Sequence, residues 1–143
     1  MLDKIKRQLI SEAFEAQKRA YAPYSHFKVG AALLTKSGKI YCGCNIENAA
    51  YSPGNCAERT AIFKAVSEGE LEFEAIAVVG NKEAIKKGEG TLCAPCGVCR
   101  QVMAEFCDPA EFKVIMAWGE EQYKECKLGE LLPYGFVEEN LNH

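Results

Sequence analysis

Apolar residues recur at steps of three and four through Leu2, Ile5, Leu9, Ala13, Ala16 and Ala20, with Lys6, Glu12 and Lys18 off that stripe. The spacing predicts an amphipathic helix. Ala22-Pro23-Tyr24-Ser25 ends it, since proline has no N–H to continue the ladder. From Phe27 the period changes to two. Phe27, Val29, Ala31 and Leu33 alternate with Lys28, Gly30, Ala32 and Leu34, which reads as a strand. Ser37-Gly38 is a turn signal, and Ile40 to Cys44 forms the returning strand of a hairpin.

Asn45 to Asn55 carries Asn, Ser, Pro and Gly and reads as a loop. Ala57, Ala61, Ile62, Ala65 and Val66 mark a second helix stopped at Gly69, and Val98, Val102, Met103 and Phe106 a third that starts just after Pro95. Phe73 to Val79 and Phe112 to Ala117 are apolar runs suited to strands covered on both faces. Asn81 to Gly90 reads as a polar surface loop, Tyr123 to Cys126 as a short edge strand, and Leu128, Leu131 and Leu132 as a helical turn before Pro133. Helices alternating with apolar strands imply a layered α/β domain with a mixed sheet. Right-handed crossovers then bring the starts of the second and third helices to the same sheet edge. Each of those starts carries cysteine.

The chain has 143 residues, which fits a single domain spanning 1–143. Apolar residues make up 48% and charged residues 26%, as expected of a soluble globular protein. A formal charge of −3 offers no basic field for a nucleic-acid polymer. No apolar run is long enough to span a membrane, and the first residues lack a signal-peptide core, so a cytoplasmic location is expected.

The eight cysteines change the picture. In a reducing compartment they suggest metal ligation or thiol chemistry rather than disulfides. Cys96 and Cys99 are spaced C-x-x-C at a helix start, where backbone N–H groups favour thiolate. Cys56 offers a third sulfur. Three protein ligands are the mark of a catalytic zinc with one open position. Glu58, two residues from Cys56, cannot easily share its coordination sphere and is placed to move a proton instead. Three thiolates and Zn²⁺ sum to −3 + 2 = −1, and Arg59 is the natural offset. Other readings stay open. A fourth thiol from Cys93, Cys107 or the Cys42/Cys44 pair would close a structural site. An iron–sulfur run is opposed by Met103 where a further cysteine is needed. Cys42, Cys44, Cys107 and Cys126 read as core or strand residues, and His26 and His143 as surface or loop histidines.

A Cys-x-Glu element followed by Pro-Cys-x-x-Cys is the pattern of zinc nucleobase deaminases. Three stretches, Ala22 to Leu33, Cys44-Asn45-Ile46-Glu47-Asn48-Ala49-Ala50-Tyr51-Ser52 and Pro95-Cys96-Gly97-Val98-Cys99-Arg100-Gln101, resemble the small homotetrameric zinc-dependent cytidine deaminase family. The likeness runs roughly from Ala20 to Phe136. It implies a three-layer α/β/α sandwich with a mixed five-stranded sheet. It also implies hydrolysis of cytidine and 2′-deoxycytidine to the uridine products and ammonia in pyrimidine salvage, with zinc-bound hydroxide attacking C4. By position, Cys56, Cys96 and Cys99 match the zinc ligands and Glu58 the proton shuttle. Asn45 and Glu47 match groups that bond the ribose hydroxyls, and Phe27 an aromatic against the pyrimidine. The N–H of Ala57 and the carbonyl of Ala94 would address the base edge, while Tyr51 and Phe136 would reach a neighbouring subunit's pocket in a homotetramer. Pro53-Gly54, the long Asn81 to Gly90 segment and Ala94 depart from the family pattern. Two alternatives remain: a related deaminase acting on the antibiotic blasticidin S, and a zinc-stabilised RNA-binding module, against which the charge argues.

Overall fold

The computed structural model describes Met1 to Asn142; His143 lies outside the described residues. The elements run α1 (Asp3–Gln17), β1 (Phe27–Thr35), β2 (Ile40–Cys44), α2 (Ala57–Ser67), β3 (Phe73–Lys82), α3 (Gly97–Phe106), β4 (Lys113–Ala117), β5 (Tyr123–Lys127), α4 (Leu128–Leu131) and α5 (Glu138–Leu141). The strands form one five-stranded sheet in the order β2-β1-β3-β4-β5. β1 is antiparallel to β2 and β3, β3 is parallel to β4, and β4 is antiparallel to β5.

The period of two in β1 sorts its side chains between two cores. Ala31 and Leu33 join Ile76, Val78, Val114 and Met116 beneath α2 and α3. Ala32 and Leu34 join Ala75, Ala77, Val79 and Ile115 beneath α1. The molecule is therefore three layers deep, with both cysteine-bearing helices on one face. That follows from chirality: β2-α2-β3 and β3-α3-β4 each join parallel strands, and both crossovers pack on the same side.

Two glycines let helices approach the sheet closely. A Cβ on Gly30 would meet the carbonyl oxygen of Ala13 at 2.0 Å and the nitrogen of Gln17 at 2.5 Å. On Gly43 it would meet the carbonyl oxygen of Ala57 at 2.5 Å and the nitrogen of Ala61 at 2.6 Å. Neither backbone can yield as a flexible side chain could, so Gly43 fixes how near the first turn of α2 lies to β2.

Some boundaries differ from the sequence reading. The apolar stripe runs on to Ala20, but α1 stops at Gln17, and the N–H groups of Lys18, Arg19 and Ala20 bond the carbonyls three residues back instead. Ile10 and Phe14 are buried on α1 beside the stripe. β3 extends past Val79 because β1 offers it partners as far as the Phe27–Lys82 pair. The Asn45 to Asn55 segment is tied into the fold by bridges from Ile46 to Tyr21 and Asn55. The short helix α5 carries no clear apolar period and was not expected.

Candidate active site

Cys56 and Cys96 are the N-caps of α2 and α3, each in extended backbone just before the first helical residue. Pro95 cannot belong to a helix interior, and the Cys96 sulfur accepts the N–H of Cys99 at 3.5 Å, so the start of α3 is set locally. The Cys96 and Cys99 sulfurs lie 3.4 Å apart and those of Cys56 and Cys96 3.8 Å apart. All three fall within 4.8 Å of one another, and among the described residues no other Cys, His, Asp or Glu atom joins them. The closed four-thiol site and the iron–sulfur reading therefore lack their fourth ligand. Cys93 is held as a thiol, pushed up to about 11 by burial. Cys107 and Cys126 are buried in the core, Cys42 packs toward α1, and all eight cysteines are free.

The sulfurs are prepared for charge. A hydrogen bond from Cys99 lowers Cys56 to about 5; burial opposes this, and the Arg59 guanidinium helps. The Cys99 thiol is pushed up by the same contact and by burial. Arg59 donates from Nη2 to the Cys56 sulfur at 3.3 Å, and its Nε is buried without a partner among the described residues. A guanidinium held there with an unsatisfied nitrogen is costly unless negative charge collects beside it. A tris-thiolate zinc, with net charge −1, supplies that charge, so the residues fit the metal. Arg59→Ala is expected to weaken zinc binding about 10- to 100-fold in a chelator competition. Equal zinc affinity in variant and parent would remove Arg59 from this role.

Glu58 occupies the first turn of α2 and is only 4% exposed, yet it lines the cavity beside the sulfurs. Burial, and then the Cys56 charge, push its carboxyl up to about 7. The cavity has a volume of about 550 Å³, within the range of small-molecule sites. Of the residues anticipated from sequence, Asn45, Glu47, Tyr51, Cys56, Ala57, Glu58, Arg59, Ala94 and Cys96 line it. Cys99 is fully buried and is not in the lining. Phe27 is not in the lining; its ring lies over Gly80, beside Val29 and Cys93, which are. Phe136 is also outside the cavity and 58% exposed. His26 sits in an exposed turn near Glu83, apart from the sulfurs.

Asn45 accepts the N–H of Val29 at 2.9 Å and donates to the Phe27 carbonyl at 2.9 Å, leaving one amide proton and one lone pair for a ligand. Glu47 accepts the N–H groups of Tyr24 at 3.0 Å and Ser25 at 3.1 Å, and also the Ser25 hydroxyl. These donors, the hydroxyl first, hold its carboxyl below the usual range. Tyr24, Ser25, Val29 and Asn55 line the cavity without a role assigned from sequence, and Cys93 lines it without joining the sulfur group. The only hint of Tyr24 and Ser25 was their place in the Ala22 to Leu33 motif.

The profile of the cytidine and deoxycytidylate deaminase zinc-binding region matches residues 3–116. The chain is 49% identical over 137 residues to a cytidine deaminase of Halalkalibacterium halodurans, covering 96% of this chain and 98% of that protein. It is 48% identical over 136 residues to one from Sporosarcina psychrophila, covering 95% and 94%. The crystal structure of a cytidine deaminase from Burkholderia pseudomallei superposes with a TM-score of 0.80 at 47% identity, covering 90% of this chain and 97% of that one.

Proposed function

This chain belongs to the cytidine and deoxycytidylate deaminase zinc-binding family, and from that premise we propose that its cavity hydrolyses the C4 amine of cytidine and 2′-deoxycytidine, releasing ammonia and the uridine product. The observation that carries this reading is the meeting of three sulfurs with one buried carboxylic acid at the wall of a nucleoside-sized cavity.

Cys56, Cys96 and Cys99 hold zinc, which when bound supplies a Lewis acid and an activated water. Arg59 spreads the excess negative charge of the sulfurs. Glu58 moves the proton, taking it from water and delivering it first to N3 of the pyrimidine and then to the departing amine. Its burial keeps bulk water from competing for that proton. The N–H of Ala57, in the first turn of α2, has no intrahelical partner and can bond the base edge together with the Ala94 carbonyl. Phe27 backs the ring from the floor formed with Val29 and Cys93. Asn45 and Glu47 read the ribose hydroxyls.

The charges at the cavity also support a nucleoside rather than a nucleotide. Its one lining cation, Arg59, is engaged by Cys56, whereas Glu47 and Glu58 are carboxyl groups. Among the described lining residues no free cation is left to balance a phosphate on the sugar. In an ammonia-release assay, cytidine and 2′-deoxycytidine are expected to turn over, with CMP at least about a hundredfold slower, as expected for a phosphate brought to a cavity whose other charged groups are carboxyls. Blasticidin S is expected to be slower than cytidine because it lacks the ribose hydroxyls assigned to Asn45 and Glu47. Comparable rates on CMP or the antibiotic would overturn the substrate assignment, and zinc binding with no ammonia from any of the four would point to a binding module.

Tyr51 is 84% exposed and Phe136 58%, with Val98 and Phe63 also open to solvent. Large apolar side chains so placed support burial against other copies, in a homotetramer whose subunits share active sites. Sedimentation at micromolar concentration distinguishes this from a monomer. Among the described residues no helix is long and apolar enough to cross a membrane. The need for reduced sulfurs supports a cytoplasmic location.

A further inference from the structure

Ser25 is the joint between the residues assigned to the sugar and the one assigned to the base. Its hydroxyl accepts the N–H of Phe27 at 3.0 Å, so its single proton is directed to Glu47. Glu47 thus has both oxygens occupied from one turn: Oε1 by the N–H groups of Tyr24 and Ser25, and Oε2 by the Ser25 hydroxyl. The Phe27 peptide is held at its nitrogen by Ser25 and at its oxygen by Asn45.

The turn is itself fastened. Lys82 donates to the Ser25 carbonyl at 2.8 Å, and the next residue, His26, adopts a φ of 57°. The His26 N–H bonds the Ala22 carbonyl, and its own carbonyl accepts from Glu83. A non-glycine residue in that region persists only where its surroundings hold it. The hydroxyl is therefore presented to Glu47 by a rigid frame rather than by a free rotor. A carboxylate with both oxygens fixed keeps lone pairs for one further donor in a defined direction. Without the hydroxyl, Oε2 loses its fixed donor and the carboxylate can rotate toward solvent.

We propose that Ser25 is a positioning residue that aims Glu47 at the ribose 3′-hydroxyl, so that selection for that hydroxyl depends on Ser25 as well as on the carboxylate. This rests on the assignment of Glu47 to the sugar. It predicts a loss confined to ligands that carry the hydroxyl, which a general packing role would not produce.

The test uses the zinc-loaded enzyme and two competitive inhibitors of cytidine turnover, uridine and 3′-deoxyuridine. In the parent, uridine binds more tightly. Ser25→Ala is expected to raise the inhibition constant of uridine about tenfold or more, the scale of one hydrogen bond to a charged group, and that of 3′-deoxyuridine less than about twofold. Ser25→Cys, which keeps the volume with a weaker donor, gives the same split and serves if the alanine variant does not fold. Ser25→Thr, which keeps the hydroxyl, restores the preference. Constants that rise equally for both inhibitors, or for neither, overturn the proposal while leaving the Glu47 assignment standing. A parent enzyme that binds both inhibitors equally overturns the Glu47 assignment and the proposal with it.

Discussion

Glu58→Gln leaves zinc bound and lowers cytidine turnover by about 10³- to 10⁴-fold, the upper range for a lost general acid–base group. That loss corresponds to about 4–5.5 kcal/mol of barrier. Glutamine keeps the size and most of the polarity of the side chain, so the first turn of α2 and its N-cap sulfur have no steric reason to move. What it loses is the carboxyl proposed to take a proton from water and hand it to N3 and the leaving amine. Because Glu58 is almost fully buried, no bulk water or buffer acid can readily stand in for it. Zinc content by elemental analysis and absorbance decay of cytidine check this together. Near-normal turnover with zinc in place would reject the assigned proton path.

The second large effect concerns the sulfurs. Cys99→Ala is expected to strip the metal and abolish turnover. Its affinity for zinc falls by more than the roughly 10- to 100-fold that loss of an outer partner costs. Cys99 is fully buried, donates its backbone N–H to the Cys96 sulfur and has its own sulfur 3.4 Å from that of Cys96, so it helps to organise the group. Cys93→Ala provides the contrast. Cys93 lines the same cavity but lies outside the three-sulfur group, and its variant keeps one zinc per chain. Stoichiometric zinc in the Cys99 variant, or its loss from the Cys93 variant, would show the ligand set to be wrong.

Much of this was legible in the residues. The period of two in Phe27 to Leu34 and the apolar runs at Phe73 and Phe112 yield strands because such patterns have few other ways to bury themselves. The handedness of crossovers then brings Cys56 and Cys96 to one sheet edge without knowledge of any distance. Boundaries were less legible, since they depend on partners: β3 gains Gly80, Asn81 and Lys82 only because β1 reaches alongside. The placement of Phe27 over Gly80 and the bonding of Ser25 to Glu47 join residues far apart in the chain and leave no periodic trace. Arg59 beside the Cys56 sulfur was anticipated from charge balance alone, because an anionic centre in a buried site needs a nearby cation.

The most direct measurement follows ammonia release from cytidine as bound zinc is withdrawn by a chelator and then restored. Turnover is expected to fall in step with zinc and to return with it, at one zinc per chain. Full turnover by the stripped protein, or zinc-loaded protein that releases no ammonia, would contradict it.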